Sequence, residues 1–253
     1  MSDDLAFALE LADRADELTL ARFRAADLQI DRKPNMTLVS DVDTEVERRL
    51  RDRIAEARPG ETVLGEELGS VDVPAEARWI LDPIDGTHNY VRGIPIFGTL
   101  IALEREGQLV ASVASAPAMG RRWWAARGEG AFADGTPIRV SAVDTLRDAT
   151  LSWDLFDSGR TGLAERLGTL ARRCWRTRGF GDFWQHCLVS EGAIEITVEP
   201  QLALWDIAAV KLIVEEAGGR VTNLEGDPAL QPGSTLSTNG LLHDEVLAAL
   251  AGA

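Results

Sequence analysis

The stretch Trp79-Ile80-Leu81-Asp82-Pro83-Ile84-Asp85-Gly86-Thr87 constrains this chain more than any other. Trp79, Ile80 and Leu81 read as the end of a buried strand, and two carboxylates follow with only Pro83 and Ile84 between them. Such a strand delivers charge to its own tip. Pro83 fixes its φ, Gly86 permits a tight turn, and the following residues can open a helix whose free N–H groups point back at whatever the carboxylates hold. Hard divalent cations take carboxylate and carbonyl oxygens, whereas phosphate takes cations and free amides, so one short turn offers ligands for both. Asp82 to Gly86 would equally serve as an ordinary polar turn with an Asp cap, and the neighbouring segments have to decide between the two.

A chain of 253 residues is long enough for one large domain or two intimate subdomains. Its formal net charge of -15 argues against a nucleic-acid surface and against an anionic membrane. An acidic protein that handles phosphate needs metal ions to invert the local field. Met1-Ser2-Asp3-Asp4 opens an acidic amphipathic segment, with no signal peptide or membrane span visible. With Cys174 and Cys187 as the only cysteines, a reducing cytoplasm is the expected setting. The sequon Asn35-Met36-Thr37 carries no weight without secretion.

Periodicity predicts an amphipathic helix from Asp4 to Ala26 and a second from Ser40 to Ala57, with Val42, Val46, Leu50 and Ile54 on one stripe. Ser40 and Asp43 have the form of a capping box, so Asp43 is either a cap or a group turned toward the Asp82 turn to orient a water. Lys33 reads as a solvated loop charge. Glu61 to Leu64 leads a short strand into Gly65-Glu66-Glu67, and if that strand neighbours the Asp82 strand, Glu66 becomes another oxygen ligand. Gly98 to Glu104 and Gln108 to Ser115 form a hairpin, continued by Arg121 to Ala126, Ala131-Phe132 and a turn at Asp134-Gly135. The second half alternates: strand 149–155, helix 163–172, strand 175–178, helix 182–192, strand 193–198 ending at Glu199-Pro200, helix from Leu204 to two glycines at 218–219, then strands 220–223 and 235–238 and a helix over 241–250. The halves divide near Ser141 to Arg147.

Four separated pieces, Val39-Ser40-Asp41-Val42-Asp43, Gly65-Glu66-Glu67, Asp82 to Thr87 and Trp205-Asp206-Ile207-Ala208-Ala209, resemble the inositol-monophosphatase superfamily of magnesium-dependent phosphatases over nearly the whole chain. Within it, Arg121 to Ala131, Phe180-Gly181-Asp182-Phe183 and Glu199-Pro200-Gln201 are similar to the histidinol-phosphatase branch, where plain inositol monophosphatases carry a small Thr-Ala pair in place of Asp182-Phe183.

The resemblance implies an α/β five-layer αβαβα sandwich, one domain over 1–253 with subdomains 1–145 and 146–253, and two or three Mg²⁺ ions in each active site. It implies metal ligation by Glu66, Asp82, the Ile84 carbonyl, Asp85 and Asp206. Glu66, Thr87 and Asp43 become the catalytic set, with Thr87 and Asp43 orienting the attacking water. Gly86 and Thr87 amides receive phosphate beside Asp85 and Asp206, and Arg178, Asp182 and Glu199 face the alcohol portion of the substrate.

The expected activity is hydrolysis of histidinol phosphate to histidinol and phosphate in histidine biosynthesis, by a cytoplasmic homodimer acting on a small phosphorylated substrate, with no nucleic acid and no membrane. Alternatives are an inositol-1-monophosphatase or other sugar or nucleotide phosphatase on the same scaffold, or a catalytically silent regulator that binds metal or phosphate. Asp182 is also a candidate N-cap of the helix it opens, while with Phe183 and Trp184 it would suit a cationic substrate by charge and cation–π attraction. His88 and His186 are left outside the site.

Overall fold

The computed structural model describes residues 1–33, 37–70, 76–153, 162–227 and 230–251. Helices α1 (Asp3–Arg22) and α2 (Asp41–Ala57) flank an antiparallel pair, β1 (Ile30–Arg32) and β2 (Leu38–Ser40). Each helix opens on a serine whose hydroxyl accepts a backbone N–H, Leu5 to Ser2 and Val42 to Ser40. Then follow β3 (Thr62–Gly65), β4 (Gly69–Ser70), β5 (Ala77–Asp85), the short α3 (Thr87–Val91), β6 (Gly98–Arg105), β7 (Gln108–Ala116), β8 (Arg121–Ala126), β9 (Gly130–Ala133) and β10 (Thr136–Ile138). They form a sheet in the order β10-β9-β8-β7-β6-β5-β3-β4, antiparallel except where β3 runs parallel to β5. The rest comprises β11 (Thr150–Trp153), α4 (Leu163–Arg173), β12 (Arg176–Arg178), α5 (Asp182–Ser190), β13 (Ile196–Leu202), α6 (Leu204–Glu216), β14 (Arg220–Thr222), β15 (Gly233–Thr238) and α7 (His243–Ala251). Their strands make a second sheet, β12-β11-β13-β15-β14.

The period-2 alternation of β5 and β6 sets the layers. Trp79, Leu81, Ile101 and Leu103 pack with α1 and α2, while Ile80, Leu100 and Ala102 pack with α5 and α6 on the other face. The second sheet buries Leu151, Ile196, Val198 and Leu236 against α4 and α7 through Leu167, Leu170, Val246 and Leu250. Helix, sheet, helix, sheet, helix is the five-layer sandwich expected. Because α6 lies between two sheets, Ala208 to Val214 are buried all round, which is why that segment shows almost no polar face.

Several boundaries differ from the expectation. Helix α1 stops at Arg22, and Arg24 then takes φ 63. Strand β13 continues past Glu199 and Pro200 to Leu202, with a register shift against β15 on the way. The pair β1–β2 and strand β4 carry too few residues to show periodicity. The end of the strand expected over 149–155 lies beyond Trp153, outside the described residues, as do Asn35 and Met36 of the sequon. Among the described residues no helix is long and apolar enough to cross a membrane.

Candidate metal and phosphate site

A regular strand would point Asp82 and Asp85, three residues apart, to opposite faces. Strand β5 avoids this. Asp82 pairs with Leu100 and Asp85 with Gly98, so two residues, Pro83 and Ile84, stand opposite Thr99 alone. This bulge rotates the second carboxylate onto the side of the first. Thr99 secures it by donating its hydroxyl to the Pro83 carbonyl at 2.9 Å, and the Ile84 amide donates to Asp82 at 3.0 Å. Gly86 follows with φ 80, and a Cβ there would meet the Ile96 carbonyl at 3.0 Å and Asp182 Oδ2 at 3.2 Å, so both conformation and space require glycine. Helix α3 opens at once, leaving the Gly86 and Thr87 amides outside its own hydrogen-bond ladder.

From α6, Asp206 joins this strand tip; its carboxylate accepts the Ala203 amide at 2.7 Å, which fixes it at the helix start. Oxygens of Asp82, Asp85 and Asp206 lie within 4.8 Å of one another. Burial raises all three above the ordinary carboxylate range, and the acids around them push in the same direction: Glu66, Asp85 and Asp206 on Asp82, and Asp182 and Asp206 on Asp85. Asp206 rises to about 7. Carboxylates gathered this closely suit a divalent cation, and the donors present, carboxylates with the Ile84 carbonyl beside them, are those hard cations take.

Asp43 caps α2 and also reaches Thr87 beside the Asp82 turn. Its Oδ2 accepts the Ser40 amide at 2.9 Å and the Ser40 hydroxyl at 2.5 Å, completing the capping box, while its Oδ1 lies 3.1 Å from Thr87 Oγ1. Thr87 Oγ1 is also 2.9 Å from the Ile84 carbonyl. One hydroxyl proton serves one acceptor at a time, so whatever engages the Ile84 carbonyl directs the Thr87 proton to Asp43. Burial lifts Asp43 to about 6 against the hydrogen bonds from Ser40 and Thr87.

Glu66 stands just past β3, its amide on the Leu81 carbonyl at 3.2 Å, so β3 and β5 are neighbours as the ligand expectation required. The turn after it is organised by Glu47, which the sequence reading passed over. This buried carboxylate on α2 accepts the Glu67 amide at 2.7 Å and the Leu68 amide at 3.2 Å and pairs with Arg51. A Cβ on Gly65 would sit 2.1 Å from it, so the glycine before Glu66 is the space the carboxylate occupies. A Glu four residues after Asp43, on the buried stripe of α2, was the available signal. Lys33 is not a solvated loop charge: its Nζ donates to Glu66 and to Glu67, each at 2.7 Å. Two acids share one ammonium, and burial with the Glu66 charge raises Glu67 to about 7.

On the side of the second sheet, Asp182 opens α5 with φ 48 and accepts Asn89 Nδ2 at 3.0 Å. Residue Gly181 at the cap makes no side-chain cap bond, and it is Asp85 that caps the helix, accepting the Phe183 amide at 2.6 Å. The Phe183 ring is 1% exposed and packs edge-on to Trp123, so the expectation that it faces a cationic substrate is corrected: its backbone reaches the site and its ring belongs to the core. Trp184 is half-buried with its ring against Phe180. Glu199 is buried on β13 and accepts Gln185 Nε2. Arg178 is exposed on β12, donating to its neighbour's Thr177 carbonyl at 2.8 Å. His88 is exposed, and His186 is buried with Nδ1 on Ser237 and its pKa lowered to about 3 by burial.

The sequence pattern of the inositol monophosphatase family matches residues 1–252. A histidinol-phosphatase of Mycobacterium tuberculosis is 52% identical over 254 residues, covering 98% of each chain. A histidinol-phosphatase of Streptomyces coelicolor is 46% identical, covering 97% of this chain and 96% of its own. A solved IMPase of Thermotoga maritima matches at TM-score 0.90 and 30% identity, over 99% of this chain and 97% of that one. A bulged strand tip with three gathered acids, a sandwich of five layers and a match along almost its entire length together place this chain in the inositol monophosphatase family.

Proposed function

We propose that this phosphatase hydrolyses histidinol phosphate to histidinol and phosphate, with Mg²⁺ as its cofactor. The observation that carries the chemistry is the group Asp82, Asp85 and Asp206, gathered within 4.8 Å and raised first by burial and then by the acids around them. Glu66 and the Ile84 carbonyl complete the donors for two or three ions. When bound, divalent cations supply neutralising charge for phosphate oxygens, an acidified water and a counter-charge for the leaving alkoxide. The chain's own residues do the rest. Thr87, with Asp43 behind it, orients the attacking water, and the Gly86 and Thr87 amides receive the phosphate at the α3 start.

The substrate assignment is supported by the names of the two relatives and by a second pair of acids, Asp182 and Glu199. Histidinol phosphate carries an ammonium group and an imidazole, which carboxylates on the alcohol side attract and a neutral polyol does not need. Arg178, three residues before Gly181, completes this side of the reading. The reading includes a cytoplasmic homodimer, tested by light scattering on the 27.5 kDa chain. The deciding experiment is phosphate release from histidinol phosphate and inositol phosphate side by side, with Mg²⁺ and with EDTA. Metal-dependent preference for histidinol phosphate is expected; equal or better turnover of inositol phosphate overturns the substrate while keeping the site.

A further inference from the structure

Glu199 is 4% exposed, on β13 where its register against β15 shifts before Leu202. A carboxylate taken so far from water is costly unless donors meet it. Gln185, itself wholly buried, donates Nε2–H to Glu199 Oε1. Ser152 of β11 donates its hydroxyl to Gln185 Oε1 at 2.6 Å, and the Phe180 amide donates to Ser152 Oγ at 3.2 Å. The three donors run in one direction, from the loop before α5 to the carboxylate, and bonds aligned in this way polarise one another. The chain also fixes the Gln185 amide, because turning it over would set its oxygen against the carboxylate and its NH₂ against a committed hydroxyl. Gln185 stands three residues after Asp182, on the same face of α5. One helical turn therefore carries an acid and the amide that holds a second acid.

We propose that Gln185 is a positioning residue for substrate selectivity: through the chain from Phe180 and Ser152 it holds the Glu199 carboxylate toward the cationic end of the substrate alcohol, without touching the substrate itself. This rests on the role of Glu199 proposed above. The class of ligand so selected is a phosphate ester whose alcohol bears an ammonium group.

The test compares KM and kcat for histidinol phosphate and for p-nitrophenyl phosphate, which has no cationic end, in Gln185→Leu, Glu199→Gln and the double variant. Each single variant raises the KM for histidinol phosphate relative to the aryl ester about tenfold, the effect of losing one charge-assisted contact. The double variant is no worse than Glu199→Gln alone, because Gln185 acts only through Glu199. If Gln185→Leu shifts both esters equally, or costs the Glu199→Gln enzyme the same factor again, Gln185 is structural and the inference fails while the Glu199 role stands. If Glu199→Gln leaves the ratio of the two esters unchanged, the Glu199 role itself fails and the inference with it. Should Gln185→Leu not fold, Ser152→Ala reads the same chain, with a ratio change of about threefold expected that also vanishes in the Glu199→Gln background.

Discussion

The two groups of acids in this site are treated in opposite ways. Asp82, Asp85 and Asp206 bring their oxygens within 4.8 Å of one another, each accepts a backbone amide, and burial together with the acids around them makes each harder to ionise. Asp182 and Glu199 each receive a side-chain amide, Asn89 on one and Gln185 on the other. Acids set against acids leave a demand that a strong cation meets; acids set against amides keep a direction. The first arrangement suits an ion, and in the proposed function the second directs a weaker cation, the substrate ammonium.

The largest expected effect breaks the first group. Asp82→Asn lowers kcat/KM on histidinol phosphate and on p-nitrophenyl phosphate alike by about 10³-fold, since bound cations supply several kcal/mol at about 1.4 kcal/mol per tenfold. Activity unchanged on either ester would put the site elsewhere. Next comes the pair proposed to orient the water: Thr87→Ala lowers kcat about 10²-fold with little change in KM for either ester, and a change confined to KM would make Thr87 a binding group only. Asp182→Ala, in the second group, shifts the ratio of the two esters about tenfold against histidinol phosphate; equal losses on both would show that it is structural.

The smallest effect concerns pH. In the metal-free protein Asp206 stands at about 7, above its ordinary 3.8. A group raised on folding contributes stability that is complete below its unfolded pKa and is lost as pH rises through the folded value. Stability from Asp206 is therefore present below pH 3.8 and gone above about 7, and a cation that replaces the proton restores it. Added Mg²⁺ raises the melting temperature by a few degrees more at about pH 8 than at about pH 5.5. Comparing with and without Mg²⁺ at each pH cancels buried His186 and His243, whose depressed pKa values weaken the protein as pH falls below 6.5. Equal shifts at both pH values would mean that the acids are already ionised before the metal arrives.

What could be read from the residues alone was whatever depends on near neighbours. The apolar run before Asp82, the serine and aspartate opening α2, and the apolar stretch after Asp206 each state their conformation within a few positions. The bulge at Pro83 and Ile84 could not be read, because it is defined by Thr99 on the partner strand. Lys33 looks like any loop lysine until the fold brings Glu66 and Glu67 to it. Phe183 was assigned to the pocket because it follows Asp182, yet on a helix consecutive residues point about 100° apart, and the packing against Trp123 takes its ring away from the site. Asn89 and Gln185 carry no signal as polar residues in helices, since their partners lie 93 and 14 residues distant, and Glu47 shows only its place on the buried stripe of α2, not the turn 20 residues on that it holds.

The bond from the Phe183 amide to Asp85 has a consequence for how such a protein can be recombined. A carboxylate from the other half of the chain, 98 residues earlier, accepts an amide of the first turn of α5. A hybrid that joins the first half of one relative to the second half of another therefore inherits both a helix and its cap only if the parental backbones agree at this one junction. Exchange across the middle of the gene therefore has to preserve a contact far from the crossover.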